Sequence, residues 1–253
     1  MQIYNFFKLG TLNLKQYIMK DLFGKAILDH HTNNSPENLM TETSISEEDE
    51  MSVAYLFRSF NQMPKIEQKA LEMCFGKILD VGCGAGSHSL YLQNNKNLEV
   101  HVIDISKNAI KTCQLRGLNN TKEQNVLDLD ADLVKFDTII LLMNGTGIFG
   151  KLAETSKYLQ KLKSLLNEYG QILIDSSDLV YMYDEEDLAD IKKENKYYGE
   201  ITFSIKYKKE KENPFPWLYL DFETLKKLSI ENGLQCIKIT DGNNFDYLAK
   251  LFV

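Results

Sequence analysis

The segment Lys77-Ile78-Leu79-Asp80-Val81-Gly82-Cys83-Gly84-Ala85-Gly86 constrains the fold of this chain more than any other. A short apolar run carries one acid, three alternate glycines follow, and a helical pattern begins directly afterwards. This is the pattern of a strand-to-helix turn in an α/β sheet. Glycines there reach backbone angles closed to residues with a Cβ, and they let a ligand lie against the main chain. The dinucleotide fingerprint G-x-G-x-x-G would need glycine at position 87, where Ser87 stands. A nicotinamide-dependent dehydrogenase is therefore disfavoured.

The elements downstream follow in a fixed order. Ser87 to Leu92 reads as helix, and Leu98 to Ile103 reads as a second strand ending in Asp104. The carboxylate of Asp104 stands close to the spacing of about 20 residues at which an acid meets ribose hydroxyls in nucleotide-binding sheets. The same acid could also simply cap a helix. Ser106 suits the N-cap of a helix carrying Ala109, Ile110 and Cys113 on one face. Phe136 to Leu142 is β-branched and apolar, as a central parallel strand buried on both faces requires, and it runs into the loop Met143 to Gly147. A helix bearing Leu159, Leu162, Leu165 and Leu166 is expected to stop near Gly170 and lead into a strand over Gln171 to Asp175. Asp221 suits the cap of a last helix with Phe222, Leu225 and Leu228, ended by Gly233. Gln235 to Thr240 and Tyr247 to Val253 supply the final strands.

With Asp104 closing the second strand, the series Asp80-x-Gly82-x-Gly84-x-Gly86 resembles motif I of the class I S-adenosylmethionine-dependent methyltransferases. The likeness covers residues 71–180 by motif and 222–253 by pattern. It implies an α/β, Rossmann-like fold with a seven-stranded, mostly parallel sheet whose last strand is antiparallel. It also implies S-adenosylmethionine as cofactor. Asp80, Gly82, Cys83, Gly84, Gly86 and His88 would then surround its methionine and ribose portions. Asp104 would hold the ribose with Ile105 beside it, Asn125 and Val126 would meet the adenine, and Met143 and Asn144 would line the reacting edge. One position departs from the pattern: the third strand of this family usually ends in an acid, and Asn125 stands there. Its amide carbonyl can accept from the adenine amino group but brings no charge; Asp128 is the competing residue.

Outside that core, residues 1–70 read as a helical extension, and the resemblance implies that helices in this position close over the cofactor as a lid. Leu14 to His30 has helical apolar spacing. Ser44 and Glu47 fit a capping box opening a helix to Arg58, with the acids Glu47 to Glu50 offsetting its dipole, and Pro64 suits the first turn of a helix reaching Cys74. Tyr55 and Arg58 fit either packing or binding. Residues 181–221 form an insertion before the last helix, with a β-hairpin built from Ile201 to Tyr207 and Trp217 to Leu220. Its Pro214-Phe215-Pro216-Trp217 corner either packs over a sheet edge or walls an acceptor pocket.

A formal charge of −7 without a long Lys/Arg cluster disfavours nucleic acid as substrate. The four cysteines lack metal or redox spacing and suit a reducing compartment, and the apolar runs are short for a membrane helix. Both point to a cytosolic protein. No zinc spacing or G-x-S-x-G elbow is present. In methyl transfer from a sulfonium the protein mainly aligns the acceptor and excludes water, and a base helps where a proton must leave. Asp175, Asp178 and His88 stand near the expected level. Asp178 is alternatively a loop acid, and His88 a polar residue of a first helical turn. Asn144-Gly145-Thr146-Gly147 lacks the two prolines of the amino-methylating enzymes that act on adenine or glutamine. A small metabolite is the first choice of acceptor and a protein side chain the second. The rival to an enzyme is a non-catalytic module of the same fold, which Asn125 favours and the intact Asp80, glycines and Asp104 oppose.

Overall fold

The computed structural model describes residues 20–253. The chain begins with α1 (Leu22–Thr32), the hairpin β1 (Leu39–Thr43) and β2 (Ser46–Met51), and α2 (Lys65–Met73). Next come β3 (Ile78–Val81), α3 (Ser87–Asn94), β4 (Val100–Asp104), α4 (Lys107–Leu115), β5 (Asn120–Glu123), β6 (Phe136–Leu141), α5 (Thr155–Ser164) and β7 (Leu166–Ser177). After these lie α6 (Glu185–Lys193), β8 (Glu200–Tyr207), the short β9 (Glu210–Lys211) and β10 (Phe215–Leu218). The chain closes with α7 (Phe222–Glu231), β11 (Gln235–Asp241) and β12 (Asp246–Phe252).

Seven strands form one sheet in the order β11-β12-β7-β6-β3-β4-β5. The strands from β7 to β5 are parallel, and β12 runs antiparallel to both β7 and β11. The expected seven-stranded, Rossmann-like sheet with an antiparallel last strand is therefore present. Its central strands are buried on both faces, as helix-covered parallel strands must be: every residue of β3 is buried, and Ile139, Ile140 and Leu141 of β6 are fully enclosed. The order reverses on either side of β3, so the carboxyl ends of β3, β4 and β6 open on one crevice.

A second sheet, β10-β8-β1-β2 with β9 on β8, joins the N-terminal hairpin to the insertion. Two features read separately from the sequence are thus one structure. The insertion hairpin pairs as expected, Phe215 against Phe203 and Leu218 against Glu200. The helix expected over Ser44 to Arg58 is absent. Ser44 sits in the β1–β2 turn, the acids Glu47 to Glu50 lie on strand β2, and Val53–Phe57 is a tight 3-10 turn. The extension is therefore mixed, not helical. Strand pairing decides this: β2 pairs β1, β1 pairs β8, and Lys206 of β8 meets Glu48, a partner far away in sequence. Acids on an exposed edge strand also discourage edge-to-edge association.

Other boundaries shift less. Of the helix expected from Leu14, the part before Lys20 lies outside the described residues, and α1 covers Leu22–Thr32. Pro64 is the N-cap of α2. Gly170 does not end a helix: α5 stops at Ser164, and Gly170 lies inside β7 where the register against β6 shifts.

The N-terminal segment covers the main sheet's crevice. The Asp21 carboxylate accepts from the main-chain and side-chain N–H groups of Asn108 at the start of α4, at 3.2 and 2.8 Å. Gly24 allows α1 this approach, since a Cβ there would lie 2.0 Å from Ser106 Oγ. Ile27 of α1, Leu56 and Ala85 of the glycine loop share one apolar cluster with Met143 against it.

Candidate functional site

The loop between β3 and α3 turns on three left-handed glycines, Gly82, Gly84 and Gly86, at φ 74°, 53° and 78°. They differ in what surrounds them. A Cβ on Gly82 would meet Ile148 at 2.9 Å and one on Gly86 would meet Leu118 and Cys113 at 2.7 and 2.9 Å, whereas one on Gly84 would meet nothing within 4 Å. Gly86 is thus needed for packing, and Gly84 faces an open cradle. The loop is anchored where Gly82 and Cys83 donate to Ile103 O, at 2.9 and 3.2 Å, and Gly86 donates to Cys83 O at 2.8 Å. Cys83 is buried with its Sγ 3.6 Å from that of Cys113 on α4.

Asp104 ends β4 beside the cradle. Its Oδ2 accepts from the N–H of Gly84 at 3.0 Å and its Oδ1 from that of Ser106 at 2.8 Å. Ser106, not Asp104, caps α4, accepting from Ala109 N at 2.9 Å. Burial pushes Asp104 up to about 6 against the pull of those two N–H groups. Ile105 next to it is 57% exposed, an apolar side chain left open at the crevice mouth. At the end of β5, Asn125 Oδ1 accepts from Leu127 N at 2.9 Å and so caps a short turn, Val126 is buried in the core, and Asp128 is exposed.

Beneath the loop, buried Asp80 accepts from Ser89 Oγ at 2.6 Å, tying β3 to α3; burial raises its carboxyl, with His88 pulling the other way. His88 Nε2 lies 2.6 Å from Glu67 Oε2, and both Glu67 oxygens accept from Arg58. All three side chains are buried. Burial works to raise Glu67, but His88 and Arg58 outweigh it and hold the carboxyl below its usual range. The Val53–Phe57 turn is tied to the loop a second time. Ser87 Oγ donates to Leu56 O at 2.7 Å, and Arg116 donates to Ala85 O while its guanidinium stacks 4.7 Å from the Phe57 ring. Sequence reasoning missed Glu67. Its one signal was a charge between Ile66 and Ala70 on the buried stripe of α2.

At the carboxyl end of β6, Met143 and Asn144 both take left-handed φ, 67° and 60°. Asp175 at the end of β7 holds this turn, accepting from Met143 N at 3.1 Å and Gly145 N at 2.9 Å. Burial raises its carboxyl to about 6 against the donation from Gly145. Asp178 Oδ1 accepts from Val180 N and from the Tyr198 hydroxyl, each at 2.9 Å. Trp217 of β10 packs against the next turn: a Cβ on Gly147 would fall 2.0 Å from its ring. Thus Asp80, Gly84, Asp104, Met143 and Asn144 gather at one crevice with Asp175 and His88 behind it, while Val126 packs inward.

A family model described as a methyltransferase domain matches residues 76–247. An S-adenosylmethionine-dependent methyltransferase from Bacteroides fragilis, solved with S-adenosyl-L-homocysteine, is 42% identical, with a TM-score of 0.84 over 92% of this chain and 95% of that one. The CcbJ methyltransferase from Streptomyces caelestis has the same fold at 12% identity, a TM-score of 0.59 and coverage of 76% and 90%. No curated protein matches the chain. Among the described residues no helix is long and apolar enough to cross a membrane. With its glycine loop, the acid that ends β4 and the sheet order in place, the chain belongs to the class I S-adenosylmethionine-dependent methyltransferases.

Proposed function

We propose that this chain methylates a small-molecule acceptor held at the crevice between the main sheet and the second sheet. The observation that carries this reading is the open cradle at Gly84 beside the Asp104 carboxylate, where a Cβ would meet nothing within 4 Å. The donor set suits S-adenosylmethionine. Asp104 can accept from two ribose hydroxyls, Gly82 and Gly84 offer backbone, and Asp80 and His88 stand toward the amino-acid end. Ile105, Asn125 and Met143 supply mixed apolar and polar walls. When bound, the cofactor provides an electrophilic methyl group, so the chain's own task is alignment and dehydration.

The lid turn fits that task, because Leu56 and Phe57 close over Ala85 and shut water out from the N-terminal side. Asp175, with each oxygen taking a main-chain N–H, acts as a positioning residue for the Met143–Gly145 turn. Asp178 keeps Oδ2 free of hydrogen bonds among the described residues and is the better placed of the two acids to take a proton from the acceptor. His88, enclosed by Glu67, serves the loop from behind.

Calorimetric titration with S-adenosylhomocysteine, with NAD and Asp104→Ala as controls, tests the cofactor half. Saturable micromolar binding is expected, lost in the variant and absent for NAD. Transfer of radiolabelled methyl from S-adenosylmethionine to a metabolite panel tests the other half. Binding without transfer to any small molecule, joined by transfer to protein, would replace the acceptor class.

A further inference from the structure

Just beyond the carboxyl end of β7 and at the start of β12, an apolar patch faces solvent: Val180, Tyr181, Met182 and Phe245 are 40%, 48%, 41% and 62% exposed. Tyr181 and Phe245 stack with ring centroids 4.3 Å apart and planes 16° from parallel. Phe245 holds a φ of 58°, a left-handed conformation that asparagine tolerates far better than an aromatic residue. Asn243 and Asn244 precede it, yet the strained position carries the ring. Core packing does not account for a ring this exposed. Backbone strain of this kind clusters at functional sites.

Tyr219 faces the same space from the insertion. Leu218 and Leu220 are fully buried in the main core, whereas Tyr219 between them is only half-buried. Its position is fixed by the catalytic edge itself: Leu218 O accepts from Asn144 and Thr146, and Leu220 N donates to Ser176 Oγ at 2.9 Å. The neighbouring Tyr183, Tyr197 and Tyr198 hydroxyls all donate to protein acceptors, whereas that of Tyr219 has no partner among the described residues. Burial pushes Tyr219 up, and Tyr181 and then Asp175 add to it, which sets the three groups within electrostatic range of one another. The acids at this edge, Asp175 and Asp178, disfavour an anionic guest.

We propose that Tyr181, Phe245 and Tyr219 form the acceptor subsite, and that the acceptor is a planar aromatic compound without an anionic group. Its ring stacks on the Tyr181–Phe245 pair, and its hydroxyl or amino group hydrogen-bonds Tyr219. Aromatic faces reward flat ligands through offset stacking, and the Tyr219 hydroxyl, on a half-buried side chain with no partner among the described residues, can pair with a polar substituent. The proposal rests on the methyltransferase reading of the same crevice, but stacking can be measured apart from methyl transfer.

The test titrates phenol, toluene, cyclohexanol and benzoate by ligand-observed NMR into the full chain, with and without S-adenosylhomocysteine. Phenol is expected to bind at least fivefold more tightly than cyclohexanol or benzoate. Phe245→Asn is expected to raise the melting temperature by relieving the left-handed strain while weakening phenol at least fivefold, so lost binding cannot be ascribed to misfolding. Tyr219→Phe is expected to erase the preference for phenol over toluene and leave S-adenosylhomocysteine affinity unchanged. Equal binding of cyclohexanol and phenol, or unchanged phenol affinity in Phe245→Asn, overturns the subsite. Failure of S-adenosylhomocysteine to bind overturns the methyltransferase reading instead, and the phenol titration on the free protein still decides the platform.

Discussion

The main-chain N–H of Gly84 donates to Asp104 Oδ2 at 3.0 Å, so the glycine loop and the acid that ends β4 are joined without any ligand. Burial raises Asp104 to about 6, and hydroxyls donating to it would favour its ionised form. Ligand affinity should therefore be flat above that value and weaken as pH falls through it, because protons then compete for the carboxylate. Calorimetry with S-adenosylhomocysteine from pH 5 to 8 should show a weakening approaching about tenfold per unit at the acid end. Asp104→Asn should bind weakly and without that slope.

The glycines separate into ligand and packing positions, and alanine should tell them apart. Gly84→Ala places a Cβ in open space at left-handed φ, so stability should fall by only about 1 to 2 kcal/mol while S-adenosylhomocysteine affinity drops more than tenfold. Gly86→Ala adds a clash with Leu118 and Cys113, costing about 1 to 3 kcal/mol more through overpacking. Denaturant melts with calorimetry on both variants check this. Equal loss of stability in the two would remove the distinction.

The core of this fold was legible because its signals are local. A glycine series, an acid at the tip of the next strand and an apolar run each declare themselves within ten residues, and the order of β3, β4, β6 and β7 followed from them. The second sheet was hidden for the opposite reason. Ser44 and Glu47 satisfy a capping box on paper, yet β1 gains a partner in β8 that a local reading cannot see. Asp104 and the loop were found by spacing. Glu67 was missed because a buried acid becomes tolerable only once Arg58 and His88, distant in sequence, close on it. Tyr219 carried no motif: that its hydroxyl has no partner among the described residues shows only in three dimensions.

Arg58→Ala should be among the most damaging changes outside the crevice. It removes the cation from a buried carboxylate, and breaking such a pair costs about 3 to 5 kcal/mol. The pH dependence gives a second readout. Glu67 has a folded pKa held below its ordinary 4.5, so its contribution is present above that value and is lost as pH falls through the folded one. Thermal melts of the parent should decline on the acid side below about pH 4.5, and Arg58→Ala should show a shallower acid limb from a lower plateau. Parallel curves for the two proteins would mean the pair contributes nothing to acid stability.

Trp217 is the one tryptophan of the chain, so its fluorescence reports directly on contact between the second sheet and the reacting edge. Gly147 is what lets the indole pack there, since an added Cβ would lie 2.0 Å from Cε2 and 2.4 Å from Nε1. Gly147→Ala cannot keep that contact: the ring and β10 must move outward, costing about 1 to 3 kcal/mol. The emission maximum should shift to the red as the half-buried indole gains water. Leu218 anchors Asn144 and Thr146 through its carbonyl, so the same displacement should slow methyl transfer more than it weakens S-adenosylhomocysteine binding. Gly84→Ala is the matched control and should leave the emission unchanged. A Gly147→Ala protein with unshifted emission and full activity would show that the second sheet does not set the geometry of the reacting edge.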